Sequence, residues 1–527
     1  MVRTLAVFLL VLQAACAGGM RQSRQAEADA APILGYIKDG WRTLTRTHKD
    51  IVAAAEDPKL SHGAPWLVYA PEGDLEAAST LVRAALGEKS GQIEVRALGS
   101  EVTEPGLLYL PNPYVVPGGR FNEMYGWDSY FILLGLLRDN EVDLARGMVE
   151  NFVYQIDHYG TILNANRTYY LTRSQPPFLT RMVLEIYART QDRAWLAATM
   201  PAIQKYYDFW TAPPHAIPGL GLSRYYDRGI GPAPEVVSGE IENGLTHYER
   251  VRAEYKAHPE LVEGYPLADM YDAATDTLLP EFYVGDRSMR ESGFDPSGRF
   301  GTFNIGVTRY APVCLNTLLW QMERDTADIA EIVGADPTPW RTLADQRRAA
   351  IDATLWDEAR GLYFDADVSN GQRRDYPFAT AFFPLWAGVA SQAQADKVVG
   401  NLAIFERAGG IVTSPKNTGA QWDAPFGWAP LQIVAIEGLR RYGYIAEADR
   451  LSVAFLSLVL QEFKEHDAIF EKYDVEARDS AVAANVKFGY SANVIGFGWT
   501  NAAWTTLWDK LSTGAKKKVI AAAGGSR

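Results

Sequence analysis

The chain has 527 residues, 47% hydrophobic and 22% charged, the balance of a globular protein rather than a disordered one. Its 51 Lys and Arg stand against 64 Asp and Glu, a formal charge of −13, which excludes a general nucleic-acid surface because such a surface needs clustered positive charge. Two cysteines, Cys16 and Cys314, give no disulfide framework or thiolate site, and the seven histidines show no close ligand spacing, so no metal and no cofactor is expected.

In chain order, Met1-Val-Arg3 is a short basic start, Leu5 to Leu12 is apolar, and small residues follow through Gly18. That layout predicts a signal peptide over 1–17, cleaved after Ala17, and export across the inner membrane to the periplasm. A lipid anchor on Cys16 is the rival, disfavoured by Gln13 three residues before it. Residues 18–34 read as a mobile leader. No later stretch has 18 apolar residues, so no membrane insertion is expected once the signal is removed.

From about residue 130, apolar residues recur at three- and four-residue spacing in helix-length blocks: 130–154, 179–210, 311–333, 340–355, 378–405, 425–442, 446–463 and 499–511. Long loops rich in Gly, Pro and aromatics lie between them, too aromatic to be disordered. No Gly/Ser or Pro-rich linker divides the chain, so one all-α catalytic domain is expected over 35–512, with a solvated tail over 513–527. A monomer acting on a small molecule, without a nucleic-acid partner, is expected.

Those loops carry an uncommon mixture. Residues 117–130 pack Arg120, Phe121, Glu123, Trp127 and Asp128 together, 421–430 hold Gln421, Trp422 and Asp423, and 164–178 hold Asn164, Arg167, Arg173 and Gln175. Residues 291–300 and 469–474 add Asp295 and Glu471. Carboxylates, arginines, amides and indoles together suit a polyhydroxylated substrate. Hydrolysing a glycosidic bond needs two carboxyls, one protonated to assist the leaving oxygen and one ionised on the opposite face. Glu123, Glu240 and Glu291 are read instead as ion-pair or capping residues, and Cys314 as a small packing residue. Asn166-Arg-Thr168 fits an N-glycosylation pattern, but in a loop where a glycan would block the site.

These segments resemble the α,α-trehalases of glycoside hydrolase family 37. PGGRFNEMYGWDSYF (117–131) and QWDAPFGWAP (421–430) match the two family signatures. NRTYYLTRSQPPF (166–178), ESGFD (291–295), FEKYDV (470–475) and GFGWTN (496–501) follow in family order. The resemblance implies an (α/α)6 barrel with long active-site loops at one end, and hydrolysis of trehalose to two glucoses with inversion. It implies Asp295 as general acid and Glu471 as general base, with Arg120 and Arg173 lining the site. It places Phe121, Trp127, Asp128, Asn164, Gln175, Glu235, Gln421, Trp422 and Asp423 against the sugar. The chain departs from bacterial periplasmic members at Ala233, where they carry an Arg, and at 476–490, which lack their glycine-rich lid; fungal neutral members also lack that lid. These departures keep open an inverting hydrolase of another small α-glucoside and, more remotely, a non-catalytic sugar-binding protein. For the acid, desolvation by Phe294 is expected to favour the protonated form; for the base, a nearby Arg is expected to favour the charge. Inversion implies carboxyls roughly 6.5–9.5 Å apart.

Overall fold

Asp128–Arg138 reads DSYFILLGLLR and buries nearly every side chain, which marks a helix covered on all sides. In the computed structural model, which describes residues 24–57, 63–99, 102–237, 241 and 244–524, it belongs to a closed ring. Helix α1 covers 24–44. A small unit follows, with strand β1 (Trp66–Ala70), helix α2 (Leu75–Leu86), and strands β2 (Ile93–Ala97) and β3 (Leu107–Leu108). The helices after it are α3 (Asp128–Arg138), α4 (Val142–Tyr159), α5 (Leu179–Thr190), α6 (Arg193–Thr211), α7 (Pro280–Glu291), α8 (Val313–Val333) and α9 (Thr338–Thr354). The chain continues through α10 (Phe383–Ala387), α11 (Gln392–Gly400), strand β4 (Phe426–Trp428), α12 (Ala429–Arg441), α13 (Ile445–His466), strand β5 (Lys472–Asp474), α14 (Gly498–Asp509) and α15 (Thr513–Ala522).

The inner ring runs α3–α5–α8–α10–α12–α14 and closes by packing α14 on α3. Outer helices α4, α6, α9 and α13 each cover an inner neighbour, α11 follows α10, and α1 completes the circuit. This is the (α/α)6 architecture. Closure needs close approach: a Cβ at Gly135 would come within 2.6 Å of the Trp41 ring and 3.0 Å of the Ala502 methyl. Glycine at that one place lets α1, α3 and α14 meet.

Three expectations are corrected. The blocks 130–154 and 179–210 are helix pairs, broken where Asn140 (φ 66°) and Gln191 (φ 52°) turn left-handed. Residues 24–34 are no mobile leader but the first turns of α1, with Ala26, Ala30 and Ile33 buried, while residues 1–17 lie outside the described residues. The tail is not solvated: α15 packs on α13, buries Ala515 and Val519, and reaches α1 through Lys516 Nζ donating to Glu27 Oε1 at 2.7 Å.

The chain is also not purely helical. β1, β2 and β3 form a parallel sheet in the order β2-β1-β3, with α2 across it over a core of Val68, Ala78, Val82 and Leu107. This unit is locked to the barrel by buried Arg167, which donates to Ala55 O (3.0 Å) and Ala54 O (2.8 Å) and pairs with Glu123 at 2.7 Å. Among the described residues, no helix is long and apolar enough to cross a membrane.

Candidate active site

Inner helices α3, α5, α12 and α14 all begin at one end of the ring, and the loops that lead into them enclose a cavity of about 510 Å3. Its floor is aromatic. Trp422 stacks on Trp428 with centroids 3.9 Å apart and planes 8° from parallel, while Trp499 meets Trp428 edge-on at 5.8 Å. Phe294 lies beneath them, fully buried between Trp127 (5.4 Å), Trp422 (5.1 Å) and Phe378 (5.3 Å). Such rings form a rigid apolar plate that resists collapse when polar groups are held around it.

The acid loop follows α7. Asp295 keeps 34% of its side chain exposed, with Arg290 Nη1 3.8 Å from its carboxyl. Phe294 itself is fully buried and packs its ring on Trp127, Trp422 and Phe378. Arg290 is itself fixed one helical turn along by Asp286 at 3.2 Å, whose carboxyl it holds well below the usual range, with His247 assisting.

The base loop is built differently. Glu471 leads into β5, which pairs antiparallel with β4, so Lys472 lies opposite Trp428 and the carboxyl is carried on a hydrogen-bonded ladder. Glu471 is 1% exposed. Its Oε1 accepts from the Tyr490 hydroxyl, and its buried Oε2 meets no hydrogen-bond partner among the described residues. Burial raises its pKa, outweighing the opposing pull of Lys472 and Arg120; the expected arginine is present but does not win. Asp128, at the head of α3, is pushed well above the usual carboxylate range by burial, with Glu471 and Asp295 adding to the effect.

Asp295, Glu471, Arg120, Phe121, Trp127, Asp128, Asn164, Gln175, Glu235, Gln421 and Trp422 all line this one cavity. Arg173 and Asp423 do not, which corrects their expected contact with sugar. Arg173 is buried behind Glu235 and donates Nη2 to its Oε1, so it orients that acid from the rear. Asp423 is buried and accepts from Tyr376 Oη (2.8 Å), Thr418 Oγ1 (2.5 Å) and the Gly298 amide (2.7 Å), tying the Gln421 loop to the acid loop. Its burial lifts its pKa to about 7.

Neighbouring groups are structural. Glu291 accepts from the amides of Ser174 (3.1 Å) and Tyr226 (2.6 Å), joining two site loops to α7, and Glu123 is the partner of Arg167. Asn166 is buried and donates to Leu108 O at 3.0 Å, so it offers no surface for a glycan. Cys314 is buried with its sulfur 3.6 Å from the Arg299 guanidinium. Glu240 lies outside the described residues. Among the described residues, no group of His, Cys, Asp or Glu is arranged to hold a metal ion.

Sequence reasoning missed Arg290, Tyr490, Glu56 and Asp57, which also line the cavity. Arg290 adjoins the ESGFD motif and was within reach. Glu56 and Asp57 carry no signal, because only the docking of the N-terminal unit brings them to the site.

The family model described as Trehalase matches residues 87–512. The chain belongs to the trehalase family. The cytosolic neutral trehalase of Emericella nidulans is 36% identical over 555 aligned residues, covering 92% of this chain and 73% of that one. That of Saccharomyces cerevisiae is 36% identical over 530 residues, covering 88% and 69%. The solved neutral trehalase of Saccharomyces cerevisiae superposes with a TM-score of 0.78 at 33% identity, covering 94% of this chain and 96% of that one. A mannosylglycerate hydrolase from Thermus thermophilus, at 20% identity and a TM-score of 0.52, shares the fold alone.

These names overturn the expected signal peptide and periplasmic location, since the relatives are cytosolic by name. The apolar stretch at 5–12 suggested export because a short hydrophobic run after a basic start is what an export signal looks like locally. The departure at Ala233 also has a structural setting. Ala233 is buried and its amide donates to Tyr248 Oη at 2.8 Å, while the arginines that line the cavity are Arg120 and Arg290.

Proposed function

We propose that this protein hydrolyses α,α-trehalose to two glucose molecules with inversion, using Asp295 as general acid and Glu471 as general base. The observation that carries this reading is the pair of carboxyls in unlike surroundings on one cavity: Glu471 enclosed with an unpartnered oxygen, Asp295 partly exposed on a turn. Water held at Glu471 attacks the anomeric carbon of one ring and gives up its proton to that carboxylate. As the glycosidic bond breaks, Asp295 passes its proton to the departing oxygen, and the second glucose leaves neutral. Arg290 favours the charged form of Asp295; a disaccharide filling the cavity would strip water from that carboxyl and favour the protonated form instead.

Glu235, braced by Arg173, together with Asn164, Gln175, Arg120 and Asp128, supplies directional donors and acceptors for hydroxyls. Trp422 and Trp127 offer apolar faces, and the cavity volume of about 510 Å3 is in the range of small-ligand sites. The test is a proton NMR time course on α,α-trehalose that reads the anomeric signals before mutarotation. Equal initial α- and β-glucose is expected. α-Glucose alone would overturn inversion, and no turnover of trehalose beside turnover of another α-glucoside would overturn the substrate.

A further inference from the structure

The two oxygens of Glu471 are unequal. Oε1 takes the Tyr490 hydroxyl, and Oε2 is left without a hydrogen bond among the described residues. Tyr490 is held on several sides. The Arg120 guanidinium lies 4.4 Å from its ring centroid, and the Lys472 ammonium lies 4.0 Å from it while donating to the Tyr490 carbonyl at 2.9 Å. The same ammonium donates to Gln421 Oε1 at 3.0 Å, and Gln421 Nε2 donates to the main-chain carbonyl of Asp295. One run of contacts, Glu471–Tyr490–Lys472–Gln421–Asp295, therefore joins the side chain of one carboxyl residue to the backbone of the other, with Tyr490 as the link to Glu471.

We propose that Tyr490 is a positioning residue for Glu471: its hydroxyl pins Oε1 and so reserves Oε2 as the oxygen that holds the attacking water and takes its proton. The inference rests on Glu471 being the base. A carboxylate on a short linker rotates about its last bond, and a donor fixed to one oxygen removes that freedom and sets the direction of the other lone pairs. Tyr490 can serve as donor throughout the working range, because burial and the facing Glu471 push its own ionisation well above the usual tyrosine value. The other charged groups that face Glu471 are Lys472 beside it, Arg120 from the 117–127 loop, Asp128 at the head of α3, and Asp295 across the cavity. Burial opposes its charge and outweighs the two cations that favour it, and the Tyr490 hydroxyl adds to the cations. Removing that hydroxyl shifts the balance toward the protonated form, which cannot act as a base.

Tyr490→Phe keeps the ring between its cations and deletes only the donor. The experiment measures kcat and KM for trehalose from pH 4 to 9 in wild type, Tyr490→Phe and Glu471→Gln, with near-UV spectra and melting temperatures confirming folded protein. For Tyr490→Phe, kcat falls about tenfold, KM stays within about twofold, and the acidic limb of the kcat profile moves up by about one pH unit, the size expected for one hydrogen bond to a charged group. Glu471→Gln loses on the order of a hundredfold or more at every pH. A Tyr490→Phe enzyme whose acidic limb coincides with wild type overturns the positioning role, whether or not KM changes. Retention of activity by Glu471→Gln brings down the base assignment itself, which separates that failure from a failure of Tyr490 alone.

Discussion

The same inner helices end in two very different places. At their N-terminal ends, carboxylates gather around an open cavity, and Glu471 and Glu235 each keep a buried oxygen without a hydrogen bond among the described residues. Away from that cavity, a second hollow of about 650 Å3 is lined by Arg138, Arg440 and Lys510 from the C-terminal ends of inner helices and by Arg181 from the first turn of α5. There the charges are matched: Arg138 pairs with Asp509 at 2.9 Å, Arg181 with Asp325 at 3.1 Å, Arg440 with Asp449 at 2.5 Å, and Lys510 with Glu437. What differs is which atoms stay unbonded among the described residues: at the far end each of these cations meets a carboxylate on a neighbouring helix, with Glu437 Oε1 and Arg440 Nε left over, whereas at the near end carboxyl oxygens of Glu471 and Glu235 are left over on the wall of the cavity.

Substitutions at the two ends should therefore separate activity from stability. The largest effect is expected from Glu471→Gln and Asp295→Asn, each lowering kcat by about 10^2 to 10^4-fold while the melting temperature at pH 7 holds or rises for Glu471→Gln, because a buried carboxylate is no longer forced to ionise. Loss of stability in step with activity would erase the distinction between the ends. Next in size, Arg181→Met removes the cation from the buried Asp325, leaving only Thr180 and Gln321 as its donors, and should cost about 1–3 kcal/mol in denaturant unfolding with kcat within twofold of wild type; a large fall in kcat would show that the far end is coupled to the chemistry.

The smallest effect concerns Asp423, which lies between cavity and core. Its folded pKa of about 7 stands above the ordinary value of 3.8, so the folded state binds a proton that the unfolded state has already released. That contribution is complete at low pH and is lost as pH rises through the interval from 3.8 to about 7. Asp423→Asn should flatten the decline in stability across that interval, read from melting temperatures at successive pH values. An unchanged slope would mean that Asp423 is ionised throughout.

Several features of this molecule are local and were legible in residue order. Apolar recurrence at three and four residues located α8, α9, α12, α13 and α14 to within a few residues, because a helix face is set by neighbours one turn away. The motif loops brought the candidate acids, amides and indoles forward by composition, and most of them do share a cavity. The left-handed turns at Asn140 and Gln191 were missed because apolar periodicity carries across a tight turn without a break.

Other features depend on residues that are distant in the chain. The leader became α1 because Trp41 fills the notch at Gly135 beside Ala502, and the tail became α15 because Lys516 meets Glu27, 489 positions away. Arg173 and Asp423 carry the right chemistry on the right loops, yet Arg173 is buried against Glu235, which itself lines the cavity, and Asp423 is buried against Tyr376. Sequence by itself determined the stretches that are helical in the middle and later parts of the chain, the family resemblance and the inventory of reactive groups, since these rest on residue type and short spacing. Only the tertiary structure decided which groups face the cavity, which oxygen of Glu471 is held by Tyr490, and how the ring closes, since burial and pairing belong to surfaces that exist only once the chain has folded.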